Sequence, residues 1–545
     1  MDASNQFPTP TDFSKSPTNK ALRLTQHQAT QIDFSCPLCD STRASYIFHA
    51  RNFRVFRCTG CTLTFSDRLF QKSPYSASSD QPIAAENVLA LGVTERTEKD
   101  HASLIAALEE FGTTSPVIVL SDSDDEIVRL LGRRGIAFTR VFDAKGFRKI
   151  AAGREFTAGI VSDAIMRASN PRATLEKLRQ HLPVGAPLIL SLPLLDGRQA
   201  RLMGRNWHEW RAPNLWFFTR ETLSLMLLAA GFEHIWFRTV RRHYSLDHLI
   251  ERLRLAHEGS LWFRALRAAH RILPERLRNS KFPLPSGTAV VTASSAPAST
   301  ETVVSIVVPV FNERATFQAL FDALLAKQLP GIRKEIIVVE SNSTDGSRDL
   351  VRAYENHPDV RVIYQPGPRG KGNAVREGLR AATGDIQMIQ DADLEYDLDD
   401  YDSLLTPLLA HQSMFVLGSR HQGEWKIRKF ADAPITATMF NLGHSIFRTL
   451  INLAVNTKMA DPFTMFKVFR RDALFGLDFV CNRFDFDIEL VIKLIRKGYI
   501  PLELPINYVS RSFAEGKKVS VTRDGMTWVL TILRARFSPL GKGRV

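Results

Sequence analysis

The sequence predicts an α/β protein in which a small cysteine-rich unit precedes two larger units, each built on a sheet. Two long segments alternate short apolar runs with helical stretches, which is typical of parallel strands joined by crossover helices. The clearest strand candidates are PVIVL from Pro116 and VVSIVVPV from Val303. A stretch rich in Ser, Ala, Thr and Pro between these segments predicts a linker. The predicted parts are a polar, disordered tail (1–31), the cysteine-rich unit (32–70), a first α/β unit (86–294), the linker (295–302) and a second α/β unit (303–545).

The composition indicates a water-soluble globular chain, because 44% of the 545 residues are hydrophobic and 23% are charged. The chain has no run of 18 or more apolar residues, so we expect no membrane-spanning helix. The N-terminus has no basic start followed by an apolar core, so we expect a cytoplasmic protein, with peripheral contact to the cytoplasmic face of a membrane as an option. The net charge of +14 fits a nucleotide, lipid-phosphate or membrane partner, or simply a solvated basic surface. We expect no nucleic-acid partner, since the chain has neither a basic tail nor an aromatic RNA-binding motif.

The cysteines predict a metal site. Cys36 and Cys39 form one CxxC pair, and after eighteen further residues Cys58 and Cys61 form a second. Two such pairs present four thiolates to one cation, which is the pattern of a zinc ribbon, and four protein ligands make the zinc structural. A redox dithiol is the alternative, and the pairing of the motifs disfavours it. The fifth cysteine, Cys481, is interpreted as a small buried apolar residue.

The first α/β unit resembles class I S-adenosylmethionine-dependent methyltransferases that carry an N-terminal cysteine knuckle pair. The resemblance depends on Asp143 after the second strand, on the stretch around Asp163, and on the segments LRQHLPVGAPLILSLP and NWHEWRAPNLWFFTRETLSLMLLAAGF. It implies a Rossmann-like domain.

The cofactor motifs of that family are degenerate in this chain. The first strand leads into Ser121–Asp125, which has three carboxylates and no glycine, although backbone must approach such a cofactor closely. Met166 and Arg167 replace a usual Glu-His pair, and Asn214 replaces a usual histidine. S-adenosylmethionine binding is therefore doubtful, and we favour a scaffold or recognition module over an active methyltransferase.

Polar motifs follow the strands of the second α/β unit. PVFNE begins at Pro309, ESNSTDG at Glu340, GPRGKGN at Gly367 and DAD at Asp391. Ligands of open α/β sheets bind outside the carboxyl ends of strands, where these motifs should meet. Asp391 and Asp393 can hold a divalent cation against a diphosphate, because Mg²⁺ and Mn²⁺ prefer oxygen ligands and usually keep substrate phosphates in their coordination shell.

These motifs resemble family-2 glycosyltransferases, especially the dolichyl- or polyprenyl-phosphate mannosyltransferase branch. Further matches are QDADLEYD, GSR, DPFTMFKVFRR, FDFDIEL and RSFAEGKK, over about 240 residues. The resemblance implies a GT-A fold and inversion at the anomeric carbon. It also implies Mg²⁺ or Mn²⁺ on Asp391, Asp393 and Glu395. The donor-side residues it assigns to substrate binding are Pro309, Phe311, Glu313, Glu340, Ser341, Lys371 and Ala392.

The identity of the nucleotide stays open. The branch usually has two consecutive acids after the second strand, whereas this chain has Glu340 and Ser341. A GDP-sugar and a UDP-sugar are therefore both compatible donors.

The acceptor side is assigned by the same resemblance. Arg420, Arg511, Lys517 and, with less support, Arg428 fall where the branch binds phosphates, and Asp461 should line this side. A hydroxyl acceptor needs a general base, and relatives that use one have it at the position of Asp487. Asp487 and Glu489 are equally compatible with a structural role at a helix start.

The apolar stretch before Val455 is either an interfacial helix or a core or dimer helix. The predicted function is sugar transfer to polyprenyl phosphate. The alternatives are transfer to a hydroxyl of a glycan or small molecule, and a bifunctional methyltransferase–glycosyltransferase.

Overall fold

The computed structural model of the chain forms two compact units, one ending at Ala298 and the other starting at Ser299. The predicted tail, Arg428, Arg511 and Lys517 lie outside the residues that the structure describes. Those residues are 34–50, 53–70, 93–112, 115–121, 125–143, 145–150, 153–257, 259–299, 301–420, 434–509 and 521–541.

The N-terminal unit contains one small and one larger sheet. Its elements are β1 (Ala44–Ala50), β2 (Phe53–Cys58), β3 (Thr64–Ser66), α1 (Val93–Glu110), β4 (Val117–Leu120), α2 (Asp125–Arg133), β5 (Phe138–Val141), β6 (Ala158–Ser162), α3 (Pro171–Arg179), β7 (Pro187–Pro193), α4 (Arg198–Met203), β8 (Trp216–Phe217), α5 (Arg220–Ala229), β9 (Phe232–Ser245), α6 (Leu246–His257), α7 (Leu261–Ile272), α8 (Glu275–Arg278) and β10 (Lys281–Ser295).

The cysteine-rich segment builds an antiparallel sheet of order β1-β2-β3-β8. Its last strand comes from far along the chain, where Trp216 pairs with Phe65. The rings of these two residues lie 5.9 Å apart, and Phe34 stacks on Phe65 at 4.3 Å. The cysteine-rich segment therefore shares its apolar core with the residues around β8.

The larger sheet has the order β5-β4-β6-β7-β10-β9. The first four strands are parallel, and β4 lies within the predicted strand PVIVL. The long strands β9 and β10 were not predicted; they pair antiparallel with each other, and β10 also pairs antiparallel with β7. Asp143, after β5, accepts backbone N–H bonds from Lys145 and Gly146, both at 2.9 Å. The methyltransferase resemblance stays a prediction, and residues 122–124 of its glycine-free loop lie outside the described residues.

The C-terminal unit is one mixed sheet covered by helices, with the order β13-β12-β11-β14-β16-β15-β17. Its elements are β11 (Thr302–Val310), α9 (Phe317–Ala326), β12 (Ile332–Glu340), α10 (Ser347–Arg352), β13 (Val360–Tyr364), α11 (Lys371–Ala381), β14 (Ile386–Ile389), α12 (Tyr401–Leu409), β15 (Phe415–Ser419), α13 (Pro434–Val455), β16 (Lys467–Arg470), α14 (Arg471–Leu474), α15 (Asp485–Lys497), β17 (Leu502–Pro505) and α16 (Val521–Phe537).

The strand directions bring the polar motifs to one edge of this sheet. Strands β11 to β14 are parallel, whereas β16 is antiparallel to both β14 and β15. The carboxyl ends of β11, β12, β14 and β15 therefore share an edge with the first residue of β16. Among the helices that the structure describes, none is long and apolar enough to cross a membrane.

Candidate functional site

The loops after β11 and β12 bind each other through short polar side chains. Asn312 has a left-handed backbone (φ 53°); its N–H donates to Ser343 Oγ at 3.0 Å, and its Oδ1 accepts from the N–H of Thr344 at 2.8 Å. The N–H of Glu313 donates to Ser347 Oγ at 2.9 Å. The predicted nucleotide-contacting residues Pro309, Phe311 and Glu313 are half-buried beside this junction. The loops after β11 and β12 are thus ordered by bonds within the protein.

Glu340, predicted to hold the nucleoside, is fully buried. Its two carboxylate oxygens accept the N–H groups of Asn342 and Ser343 at 3.1 and 2.6 Å, and Arg348 Nε lies 3.5 Å from one of them. Ser341 is also buried and donates its hydroxyl to Gln365 at 2.9 Å. Both side chains support the loop after β12, and their direct contact with a nucleotide stays a prediction.

The glycines of the RGKG motif allow a close backbone approach. A Cβ at Gly370, which has φ 98°, would lie 2.4 Å from the carbonyl oxygen of Asn482. A Cβ at Gly372 would lie 2.4 Å from Cβ of Phe486. The start of α11 therefore packs directly against the segment that leads into α15, which positions Lys371 over the sheet edge.

Lys371 and the DAD motif meet at this edge. Lys371 Nζ lies 2.5 Å from Asp391 Oδ1. Burial lowers the pKa of Lys371, but the negative charges of Asp391, Asp487 and Asp393 outweigh it, so its pKa lies above the ordinary value. Ala392 is buried, and its carbonyl accepts the Thr316 hydroxyl at 2.9 Å. The cluster therefore consists of carboxylates around the ammonium group of Lys371.

The two aspartates fit a cation that arrives together with a diphosphate. Among the described residues, only the four N-terminal cysteines bring three or more metal-binding groups together, so Asp391, Asp393 and Glu395 do not form a ready three-ligand site. Mg²⁺ in proteins is usually held by one or two carboxylates together with substrate phosphates, and Asp391 and Asp393 can provide those carboxylates. Glu395 instead accepts the Tyr508 hydroxyl at 2.9 Å, and its role as third ligand stays a prediction.

Arg420 and Asp461 form a buried ion pair on the predicted acceptor side. The Nε and Nη2 atoms of Arg420 donate to the two Asp461 oxygens at 2.7 and 2.8 Å, and His444 Nε2 lies 3.2 Å from one of them. Burial raises the pKa of Asp461, but the Arg420 charge and its hydrogen bonds outweigh this and hold the pKa well below its usual range. Arg420 also lies over the Tyr508 ring at 5.1 Å. The guanidinium is thus fixed in one orientation.

A second buried pair joins β16 to α15. Lys467 Nζ lies 3.1 Å from Asp487 Oδ1, and burial lowers the pKa of Lys467 despite the Asp487 charge. Glu489 accepts the N–H groups of Val480 and Cys481 at 3.0 and 2.9 Å, so it supports that loop. A direct role of Asp487 stays a prediction, and the structure pairs its carboxylate with Lys467.

Lys467 and His444 were not singled out from the sequence. Lys467 sits inside the DPFTMFKVFRR motif, where an isolated lysine suggests a surface charge. His444 lies in an apolar helix, where a histidine suggests a core position. Only their contacts with Asp487 and Asp461 connect them to the site.

A comparison with protein families matches residues 305–475 to glycosyl transferase family 2. A dolichol-phosphate mannosyltransferase of Pyrococcus furiosus is 26% identical over 214 residues, which are 39% of this chain and 58% of that protein. A dolichyl-phosphate beta-glucosyltransferase of Trichomonas vaginalis is 27% identical over 249 residues, or 43% of this chain and 72% of that protein. The first of these matches thus spans less than two thirds of the relative's length.

Solved structures of glucosyl-3-phosphoglycerate synthase from Mycobacterium tuberculosis also match. One, in complex with Mn²⁺, UDP-glucose and phosphoglyceric acid, is 22% identical, covers 44% of this chain and 81% of its own, and has a TM-score of 0.33.

Proposed function

We propose that this chain, a glycosyltransferase with a family-2 domain of GT-A-like fold, transfers a sugar from a GDP- or UDP-sugar to a polyprenyl phosphate with inversion. An oxygen of the acceptor phosphate attacks the anomeric carbon, and the bond from that carbon to the nucleoside diphosphate breaks. The similarity to two enzymes named for dolichol phosphate supports a lipid-phosphate acceptor.

On the donor side, the proposal assigns Asp391 and Asp393 to a bound Mg²⁺ or Mn²⁺. Such an ion neutralises the charge that builds on a departing diphosphate. Lys371, beside Asp391, supplies a further positive charge next to the same oxygens. Gly370 and Gly372, on either side of it, allow the start of α11 to pack closely against residues 482–486.

The observation that carries the lipid acceptor is the two-sided character of α13. Its inner side carries the buried residues Asn441 and His444, and His444 contacts Asp461, which the proposal assigns to the acceptor side. Its outer side exposes apolar residues, as does the neighbouring helix α16, which packs against α13 through Phe447 and Trp528 at 5.0 Å between rings. Among the side chains that the structure describes, the large exposed apolar residues of this pair of helices are Leu442, Ile446, Leu450 and Leu453 on α13 and Met526, Val529, Leu530, Leu533 and Phe537 on α16.

An exposed apolar face of this kind suits the boundary of a membrane, where the tail of a polyprenyl phosphate lies. The acceptor phosphate would then meet Arg420, whose planar guanidinium suits phosphate oxygens. Because a phosphate is already ionised at neutral pH, it needs no general base, whereas a hydroxyl does. The ion pair of Asp487 with Lys467 is compatible with a reaction that leaves Asp487 as a supporting residue.

Transfer to a hydroxyl remains the second candidate, because Asp487 lies near enough to Lys371 for their charges to interact. In that reaction Asp487 would accept the hydroxyl proton. The two candidates therefore differ in what the substitution Asp487→Asn does.

We also propose that Cys36, Cys39, Cys58 and Cys61 hold a structural zinc ion. The Sγ atoms of Cys36 and Cys61, and those of Cys39 and Cys58, lie 3.5 Å apart, and all four lie within 4.8 Å of one another. Four thiolates around a tetrahedral Zn²⁺ at about 2.3 Å need sulfur separations of this size. The four thiolates would fill the coordination shell of the zinc ion, and the bound ion would stabilise the fold.

The test measures consumption of GDP- and UDP-sugars by the full chain with Mg²⁺ or Mn²⁺, with and without polyprenyl phosphate. Stimulation by the lipid phosphate that survives Asp487→Asn and is lost in Asp391→Asn supports the proposal. The exposed neighbour Asp397 provides the matched control, because Asp397→Asn changes the same group outside the cluster. Sugar-nucleotide consumption that does not depend on polyprenyl phosphate and is lost in Asp487→Asn would support a hydroxyl acceptor instead.

A further inference from the structure

A helical insertion joins β9 to β10 in the N-terminal unit, and α7 (Leu261–Ile272) is its central helix. Ser260 caps the helix, with its Oγ accepting the N–H of Phe263 at 3.3 Å. Phe263 is the one buried side chain of α7. His270, on the same side, lies 2.9 Å from Asp247 of α6. These contacts fix which side of α7 faces the protein.

The opposite side, here called the outer face of α7, is apolar. Leu261 and Ile272 are 81% and 84% exposed, and the exposed residues Ala265 and Ala268 lie between them. The spacing i, i+4, i+7 and i+11 puts these four residues on one stripe. A helix on the surface of a globular protein normally presents polar residues to solvent, whereas the side of α7 opposite Phe263 presents these four apolar residues. Trp262, 49% exposed, borders the stripe.

Positive charge accompanies this stripe. Arg264, Arg267 and Arg271, spaced i, i+3 and i+7, form a row along one flank of α7, and all three are exposed. Residues 259–281 contain six basic residues and a single acidic one, Glu275. The six basic residues are Arg264, Arg267, Arg271, Arg276, Arg278 and Lys281.

We propose that the outer face of α7 binds the surface of an anionic lipid bilayer, with the helix lying in the plane of the interface. Aliphatic residues and a tryptophan directed outward, with arginines along the flank, are the pattern of helices that insert their apolar side at the headgroup boundary. The arginines then meet lipid phosphates. A second copy of this chain is a poor occupant, because it would bring two basic rows together. This face belongs to the N-terminal unit, and its binding to lipid does not depend on which acceptor the C-terminal unit uses.

The experiment measures flotation of the full chain with vesicles of phosphatidylcholine alone and of phosphatidylcholine mixed equally with phosphatidylglycerol. We expect binding to the mixed vesicles only. The triple substitution Arg264→Gln, Arg267→Gln and Arg271→Gln should lower the partition coefficient by about a hundredfold at low salt, at roughly fivefold per charge. Leu261→Ser with Ile272→Ser should lower it by more than about tenfold. All five side chains are exposed, so the fold should be retained.

Val184→Ser is the matched control, because Val184 is an exposed apolar residue of the same unit outside α7. Quenching by brominated lipids, compared between the chain and its Trp262→Phe variant, reports insertion at α7 itself. Absence of vesicle binding, or equal binding by the chain and both α7 variants, would overturn the proposal. So would a dimer of the chain that the Leu261→Ser, Ile272→Ser variant abolishes, since that outcome would identify a second copy as the occupant.

Discussion

Replacing Asp461 by alanine should destabilise the C-terminal unit strongly. Asp461 is 0% exposed and binds Arg420 through both oxygens, so truncation leaves a buried guanidinium without its counter-charge. Breaking a buried pair in this way costs about 3–5 kcal/mol. Asp399 gives a matched comparison, because it also pairs with a cation, Lys327, at 3.0 Å, but is 86% exposed. Asp399→Ala should cost at most about 1 kcal/mol.

Hydrogen exchange measured by mass spectrometry on the full chain checks this difference locally. Peptides that cover β15 and β16 should lose protection in the Asp461→Ala variant and keep it in Asp399→Ala. The comparison uses the local free energies of opening that these peptides report. A single free energy of unfolding for the whole chain is not used, because a chain with two units need not unfold in one step. Equal losses in the two variants would refute the view that burial makes the Arg420 pair structurally important.

Because the pKa of Asp461 is depressed in the folded chain, its stabilising contribution is complete above its unfolded pKa of about 4 and is lost as the pH falls through the folded pKa. Lowering the pH from about 5 to about 3 should therefore reduce the melting temperature of the chain more than that of the Asp461→Asn variant. Cys36→Ser should remove zinc, measured by elemental analysis, whereas Cys481→Ser should retain it. Gly372→Ala should lower the free energy of unfolding by about 1–3 kcal/mol, because the new Cβ meets Phe486. Gly443→Ala should cause no such loss, because a Cβ at Gly443 meets open space.

Each of these predictions has a contrary result. Identical acid sensitivity in the chain and its Asp461→Asn variant would mean that another group governs the acid response. Zinc retained by Cys36→Ser would show that the cysteine cluster is not the metal site. A Gly372→Ala chain as stable as Gly443→Ala would mean that the start of α11 moves without cost.

The sequence predicted the parallel half of the C-terminal sheet well. Strand β11, the second half of β12 and strand β14 are buried on both sides, so they appear as largely apolar runs. The residues that follow these parallel strands meet at one edge of the sheet. The positions of Glu340, Lys371 and Asp391 at that edge followed from this pattern alone.

What the sequence could not give was the partner of each charge. Lys467 reaches the site because β16 runs antiparallel to β14, a pairing between distant segments that no local pattern encodes. Likewise, both oxygens of the Glu340 carboxylate accept N–H groups of the turn that follows β12, and the sequence did not predict these bonds. Strands β9 and β10 were missed because α6 to α8 separate them, so that neither a short turn nor an alternating crossover marks their pairing.

The pairing of β3 with β8 has a consequence for biosynthesis. All four cysteines of the proposed zinc site precede Leu63, whereas the strand that completes their sheet begins at Trp216. At about 5–20 residues per second, a ribosome needs roughly 8–30 s to cover the stretch between them. During that interval the edge of β3 has no neighbour, although the four thiolates are already available. Capture of the metal can therefore precede closure of the sheet, and the ion would hold the nascent segment together until its last strand emerges.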